Sequence, residues 1–227
     1  MTITSAAAPA TTTITLVRHG QTHLNARRVM QGACDSPLTR TGRLGVLTTA
    51  QHLASESFDA AYSSPQGRAM MTAVELVRHH PDLRLRADSG LREFTFGRYE
   101  RRPERELDEV MPWGDLISAV LNETHPGLEG GGESGAVFMG RVRDTFDRIV
   151  ADHPGQHVLV VGHGLTLGAY LATIEPGTLV ALPNASVSRV EIAGGVASIL
   201  QAGLDVAGHG SLAARGVNER SAEVSAA

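Results

Sequence analysis

The chain is poor in several things, and each shortage excludes something. It has a single cysteine, Cys34, so no disulfide can form within it. That fits a reducing compartment such as the cytoplasm. Aromatic residues make up only 4% of the 227 residues, which leaves Leu, Val, Ile and Ala to fill most of the core. There is no excess of positive charge: the formal net charge is −4. A nucleic-acid partner or a polybasic membrane contact is therefore not expected. No apolar run approaches the roughly 20 residues needed to span a bilayer. The first residues are rich in Ala and Thr but lack the basic and apolar regions of a secretory signal.

What is present reads as alternating strands and helices. Ile14–Val17, Phe58–Tyr62, Leu83–Leu85 and His157–Val161 read as strands. Helices are expected from Leu38 to about Ala54, with Leu44, Leu47 and Leu53 inward, and from Ser64-Pro65 to about Val77. In the second, Ser64 would be the cap and Pro65 the first helical residue. Pro103–Leu121 reads as helical with a break at Met111-Pro112. A longer helix from about Ser134 to Asp152 carries Val137, Val142, Phe146 and Ile149 on one side, and Leu165–Thr173 forms another. Val187–Ile192 and Val196–Gln201 flank Gly194-Gly195 as a closing hairpin. This order predicts a three-layer α/β/α domain with a mixed, mostly parallel central sheet. The domain would span 14–203, between a disordered tail at 1–13 and a flexible one at 204–227. Residues 98–132 would be a lid-like insertion over the site.

Two of the strands end alike. Leu16-Val17 leads into Arg18-His19-Gly20, and Val160-Val161 into Gly162-His163-Gly164. Ligands of open α/β sheets bind at the carboxyl ends of strands, so the two histidines could meet over one pocket. A neutral imidazole can attack phosphorus when its other nitrogen is held by a hydrogen bond. An adjacent guanidinium supplies a rigid fork of donors for phosphate oxygens. Taken alone, a strand-end histidine is more often structural.

The wider pattern is more specific. Leu16 to Thr22, Asn25, Gln31-Gly32, Asp35 to Thr39 and Gly42 come first. Tyr62-Ser63-Ser64-Pro65 with Arg68 follows. Then come Leu91-Arg92-Glu93-Phe94 with Phe96-Gly97 and Tyr99-Glu100, Gly132-Glu133-Ser134, and Gly162-His163-Gly164. In this order the chain resembles the histidine phosphatase superfamily, over roughly Ile14 to Gln201. The resemblance implies a phosphoglycerate mutase-like fold and a reaction through a phosphohistidine. His19 would be the nucleophile, Glu93 the general acid and His163 a further catalytic residue. Arg18, Asn25, Arg68 and Gly164 would hold the phosphoryl group. No metal or cofactor is implied, and the partner would be a small-molecule phosphate ester. A homodimer would be common for such a fold. The family's mutases carry a Leu-Asn-Glu-Arg-His-Tyr-Gly-like segment around the acid, and Leu91 to Gly97 differs from it. A phosphomonoesterase is the expectation, with a cofactor-dependent phosphoglycerate mutase as the alternative. A non-catalytic phosphate-binding module is the alternative of another class.

Other residues read more plainly. Cys34 is a small packed residue, His79, His80 and His125 lie on the surface, and Gly130–Gly132 is a hinge rather than a P-loop. Arg101-Arg102 stands where the family's phosphatases commonly carry a glycine, and reads as a solvated pair. If the insertion roofs the pocket, Arg98, Arg101, Arg102 and Arg105 could select a second anionic group, with Trp113 anchoring the lid by packing.

Overall fold

Apolar runs that are buried on both sides form the middle of the sheet. The computed structural model describes residues 11–176 and 182–208. Among them six strands form one sheet in the order β3-β2-β4-β1-β5-β6. The strands are β1 (Thr12–Arg18), β2 (Ala60–Ser63), β3 (Leu85–Ala87), β4 (His157–Gly162), β5 (Val187–Ala193) and β6 (Val196–Leu204). β1, β2, β3 and β4 run parallel; β5 joins β1 antiparallel, and the β5–β6 hairpin closes the edge. The helices are α1 (His23–Ala26), α2 (Arg40–Leu53), α3 (Gly67–Val77), α4 (Glu104–Asp108), α5 (Trp113–Leu121), α6 (Gly135–Asp152) and α7 (Gly164–Ile174). The mixed, mostly parallel three-layer sheet fold is thus as the sequence implies.

Side chains alternate between the two faces of the sheet. Ile14, Leu16, Val158 and Val160 pack against Phe138, Val142, Phe146 and Ile149 of α6 and Leu167 and Leu171 of α7. Val17, Leu159 and Val161 face the other layer, where Ala50 and Leu53 of α2 and Ala69, Ala73 and Leu76 of α3 cover them. Each large side chain fully buried in this way contributes about 1.5–3 kcal/mol. Leu91, Phe94 and Phe96 extend the first core toward α5.

Several local expectations are corrected. β1 starts at Thr12, so Thr12 and Thr13 belong to the sheet rather than to a tail; most of both expected tails lies outside the described residues. In α2 the inward face is Gly42, Val46, Ala50 and Leu53, while Leu44 and Leu47 are exposed. Gly42 sets that rotation: a Cβ there would lie 2.1 Å from the Gln21 carbonyl oxygen. Only glycine lets the helix approach the loop after His19 so closely. In α6, Val137 is exposed, and Phe138 and Met139 take the buried face. His125 is buried rather than on the surface. Its ring packs against Phe94, and neither ring nitrogen has a hydrogen-bond partner. Burial holds its pKa below the usual histidine value.

Candidate active site

The strand ends bring the two histidines together. β1 and β4 are neighbours, with Arg18 opposite Gly162, so the next residue on each strand is a histidine. The rings of His19 and His163 are 5.2 Å apart, centroid to centroid.

The tautomers follow from the partners. His19 Nδ1 lies 2.8 Å from the Gly20 carbonyl oxygen, which can only accept. The proton is therefore on Nδ1 and the lone pair on Nε2. Burial, then Arg68 and Arg18, hold the ring's pKa well below 6.5, so it stays neutral. The backbone is fixed on both sides: Gly20 N–H donates to Thr72 (3.1 Å) and Asn184 Nδ2 donates to the His19 carbonyl (3.1 Å).

His163 is fully buried, and both its ring nitrogens are engaged. Arg68 Nε–H donates to Nδ1 at 3.2 Å, so the proton is on Nε2, which donates to Ser64 Oγ at 2.7 Å. Burial first, then Arg68, keep this ring neutral too. Ser64 is thus a partner of His163 and not the cap of α3. The helix begins two residues after the expected start, behind Gln66.

Arg68 is consequently the second residue of α3, buried to 1% exposure. Besides His163 it donates to the carbonyls of Gly32 (2.7 Å) and Cys34 (2.9 Å) and to Asp35 (3.2 Å). One N–H is left for the cavity. Arg18 donates to the Leu182 carbonyl, while its buried Nε has no partner. A buried guanidinium N–H without an acceptor is what an incoming anion would satisfy. Gly164 packs on this guanidinium, and a Cβ there would lie 3.2 Å from Nε.

Glu93 sits at the N-terminus of α7. Its carboxylate accepts from Leu165 N–H and Thr166 N–H (both 3.1 Å), from the Thr166 hydroxyl (3.0 Å) and from Phe94 N–H (3.0 Å). The helix end favours negative charge there. The same end would offer the Gly164 N–H to a phosphoryl oxygen. Arg141 holds the Glu93 loop from α6, donating to the carbonyls of Gly90, Arg92 and Glu93 while paired with Glu133 at 2.7 Å.

These groups open onto a cavity of about 190 Å³. Arg18, His19, Asn25, Arg68, Glu93 and Gly164 all line it, and His163 lies behind Arg68 without lining it. The Asn25 amide oxygen accepts from Thr22 N–H (3.2 Å) and Asn184 (3.4 Å), which leaves its NH₂ as a donor. The walls are apolar, from Val29, Met30, Phe96, Trp113, Ile117, Leu165 and Leu182, with Glu104 among them. Trp113 stacks on Phe96 at 6.0 Å.

The expected anion-selecting arginines of the insertion are not in the wall. Arg98 pairs with Glu129, Arg102 with Glu106, and neither Arg101 nor Arg105 lines the cavity. Cys34 is half-buried, and burial followed by Glu100 pushes its thiol pKa up, so it is a packed thiol and not a nucleophile. No cluster of three His, Cys, Asp or Glu among the described residues is arranged to hold a metal. Arg141, Thr166, Asn184 and Glu104 carry no motif signal strong enough to be found by sequence reasoning, and Ser64, though part of a motif, reads there as a helix cap. Their positions depend on long-range packing.

The profile of the histidine phosphatase superfamily (branch 1) matches residues 14–204. The chain belongs to this family. A probable phosphoglycerate mutase GpmB of Yersinia enterocolitica is 34% identical over 182 residues, covering 78% of this chain and 83% of that protein. The solved phosphoglycerate mutase of Bacillus anthracis superposes with a TM-score of 0.75 at 25% identity, covering 88% of this chain and 96% of that one. A mycobacterial glucosyl-3-phosphoglycerate phosphatase gives 0.73 at 25% identity, covering 86% and 99%. The phosphoglycerate mutase-like fold and a histidine phosphatase superfamily enzyme are thereby established, and a phosphate-ester substrate follows from the family. No helix among the described residues is long and apolar enough to cross a membrane.

Proposed function

We propose that the protein is a metal-independent phosphatase that hydrolyses small phosphomonoesters through a phosphohistidine on His19. The neutral Nε2 of His19 attacks phosphorus in line and forms a P–N bond as the ester P–O bond breaks. Arg18, Arg68, Asn25 and the Gly164 N–H stabilise charge on the equatorial oxygens. His163 acts from behind, holding Arg68 in place. Glu93, which lines the cavity, is the general acid and gives a proton to the leaving oxygen. As a carboxylate it then takes a proton from the water that cleaves the P–N bond. Residues 98–132 act as a roof that keeps bulk water from the intermediate.

The observation that carries this reading over the mutase is the distribution of charge. The cations lining the cavity are Arg18 and Arg68, both on its floor beside the neutral His19, and the walls among the described residues add none. A phosphoglycerate mutase must also hold a carboxylate and turn over a bisphosphate, which needs cations beyond the floor. The name of the Yersinia relative favours the mutase as a second reading.

The test is phosphate release from a panel of monoesters with EDTA present, run beside interconversion of 3- and 2-phosphoglycerate with the bisphosphate. Release without interconversion, lost in His19→Ala with the fold intact, is the expected result. Interconversion with little release would make the enzyme a mutase. Neither activity would leave a phosphate-binding module.

A further inference from the structure

We infer that the substrate's alcohol is a small, flat, apolar group with no second negative charge, and that Glu104 and Trp113 enforce this choice. The inference rests on the phosphatase reading for its chemistry and on the cavity wall for its content. Beyond the floor, the cavity presents the face pair Phe96 and Trp113, the aliphatic side chains Val29, Ile117, Leu165 and Leu182, and Met30. Among the described residues beyond the floor, Gln31 is the neutral polar side chain, with a buried Nε2 that has no partner; the rest of the surface gains from burying an aromatic ring and offers little to a sugar or a carboxylate. The volume of about 190 Å³ is below the roughly 300–1,000 Å³ of sites for drug-sized ligands, so a single-ring alcohol fits the space better than a larger one.

Among the described residues Glu104 is the one charged side chain lining the cavity besides Glu93 and the cations of the floor. It opens α4, and Val29 pairs with Pro103 beside it, so the backbone holds its position. Its field reaches Arg18 at the floor, as that of Glu93 does. Its ion-pair partner, Arg28, has 84% of its side chain exposed and Glu104 has 42%, so water screens that pairing strongly and weakens, without removing, the field that Glu104 casts into the cavity. A substrate carrying a carboxylate or second phosphate would bring like charge against Glu104 with no wall cation to offset it. A neutral alcohol meets no such penalty.

The experiment measures two ratios in the full chain. The first is kcat/KM for phenyl phosphate over 3-phosphoglycerate. The second is the affinity for phenylphosphonate over phosphonoacetate, two ligands that need no turnover, measured by calorimetry. Both ratios should exceed about tenfold in the unaltered protein. Glu104→Gln should lower each about fivefold by improving binding of the carboxylate-bearing partner. Trp113→Ala should lower each about fivefold or more by weakening the phenyl ligand, mainly in KM. Ratios near one, or ratios that neither substitution moves, overturn the inference while phosphate release still supports the phosphatase. If no ester is hydrolysed but the affinity ratio behaves as stated, the phosphatase reading fails and the assignment of the wall stands.

Discussion

The floor and the roof of the cavity are built on opposite principles. The floor is a closed set of polar groups in which nearly every donor has a named acceptor: His19 to Gly20, Arg68 to four partners, His163 to Ser64. The roof, from Phe96 through α5, is apolar packing, and its arginines turn away to pair at the surface. A preorganised floor can hold any phosphoryl group in one geometry, because the donors do not have to be recruited when charge develops. An apolar roof cannot orient a phosphate, but it can choose among alcohols by size and burial. On the proposed function, chemistry and selectivity are separated in space, and each should be open to damage without the other.

Arg68→Ala is the largest blow to the floor. It orphans the Cys34 carbonyl and His163 Nδ1 and leaves the Gly32 carbonyl with Gln66 Nε2 as its donor, so stability should fall by about 3 kcal/mol in denaturant melts. Phosphate release should fall about a thousandfold, in kcat more than KM. Equal loss in a roof variant would erase the distinction. Arg141→Ala acts at the join, because Arg141 carries the loop of Glu93. We expect a loss of about 2 kcal/mol and a roughly tenfold fall in kcat with KM little changed. Arg141→Lys restores the charge but not the fork, so it should recover the stability only in part and the rate hardly at all.

Acid should act on the histidine-bearing floor and on the neighbouring core. His19, His163 and His125 all have pKa values held below the unfolded histidine value of 6.5. Below about pH 6.5 the unfolded chain binds protons that the folded chain refuses. Stability is therefore fully present above that pH and falls as pH drops below it. Chemical melts between pH 8 and pH 5 should show this decline, and a flat profile would contradict the burial argument. The smallest effect is at the roof's outer edge. Arg101 has φ of 65°, a left-handed conformation that costs a non-glycine residue about 1 kcal/mol. Arg101→Gly should raise the melting temperature by about 2–4 °C with phosphate release unaffected. The glycine expected at this position in related phosphatases thus has a backbone reason.

Much of the floor was legible because strand ends carry their own signal. The apolar runs before His19 and His163 and the start of the long helix at about Ser134 are local features, and each lies where the sequence puts it. The errors arise where a distant partner overrides a local preference. Ser64 has the chemistry of a helix cap, but the buried Nε2–H of His163 needs an acceptor and takes it. Leu44 and Leu47 have core spacing, but Gly42 must face Gln21, and that turns them outward. His125 looks like a surface residue until α6 and Phe94 close over it. Arg98 and Arg102 follow the same rule, since Glu129 and Glu106 hold them away from the cavity wall.

The measurement closest to the central claim is intact-chain mass spectrometry after brief exposure to excess phenyl phosphate and an alkaline quench, which preserves phosphohistidine. The account predicts one phosphoryl group, mapped to His19 on peptide digestion and missing from the His19→Ala protein. Phosphate release by the unaltered protein with no such adduct at any quench time, and release that persists in His19→Ala, would contradict attack by His19.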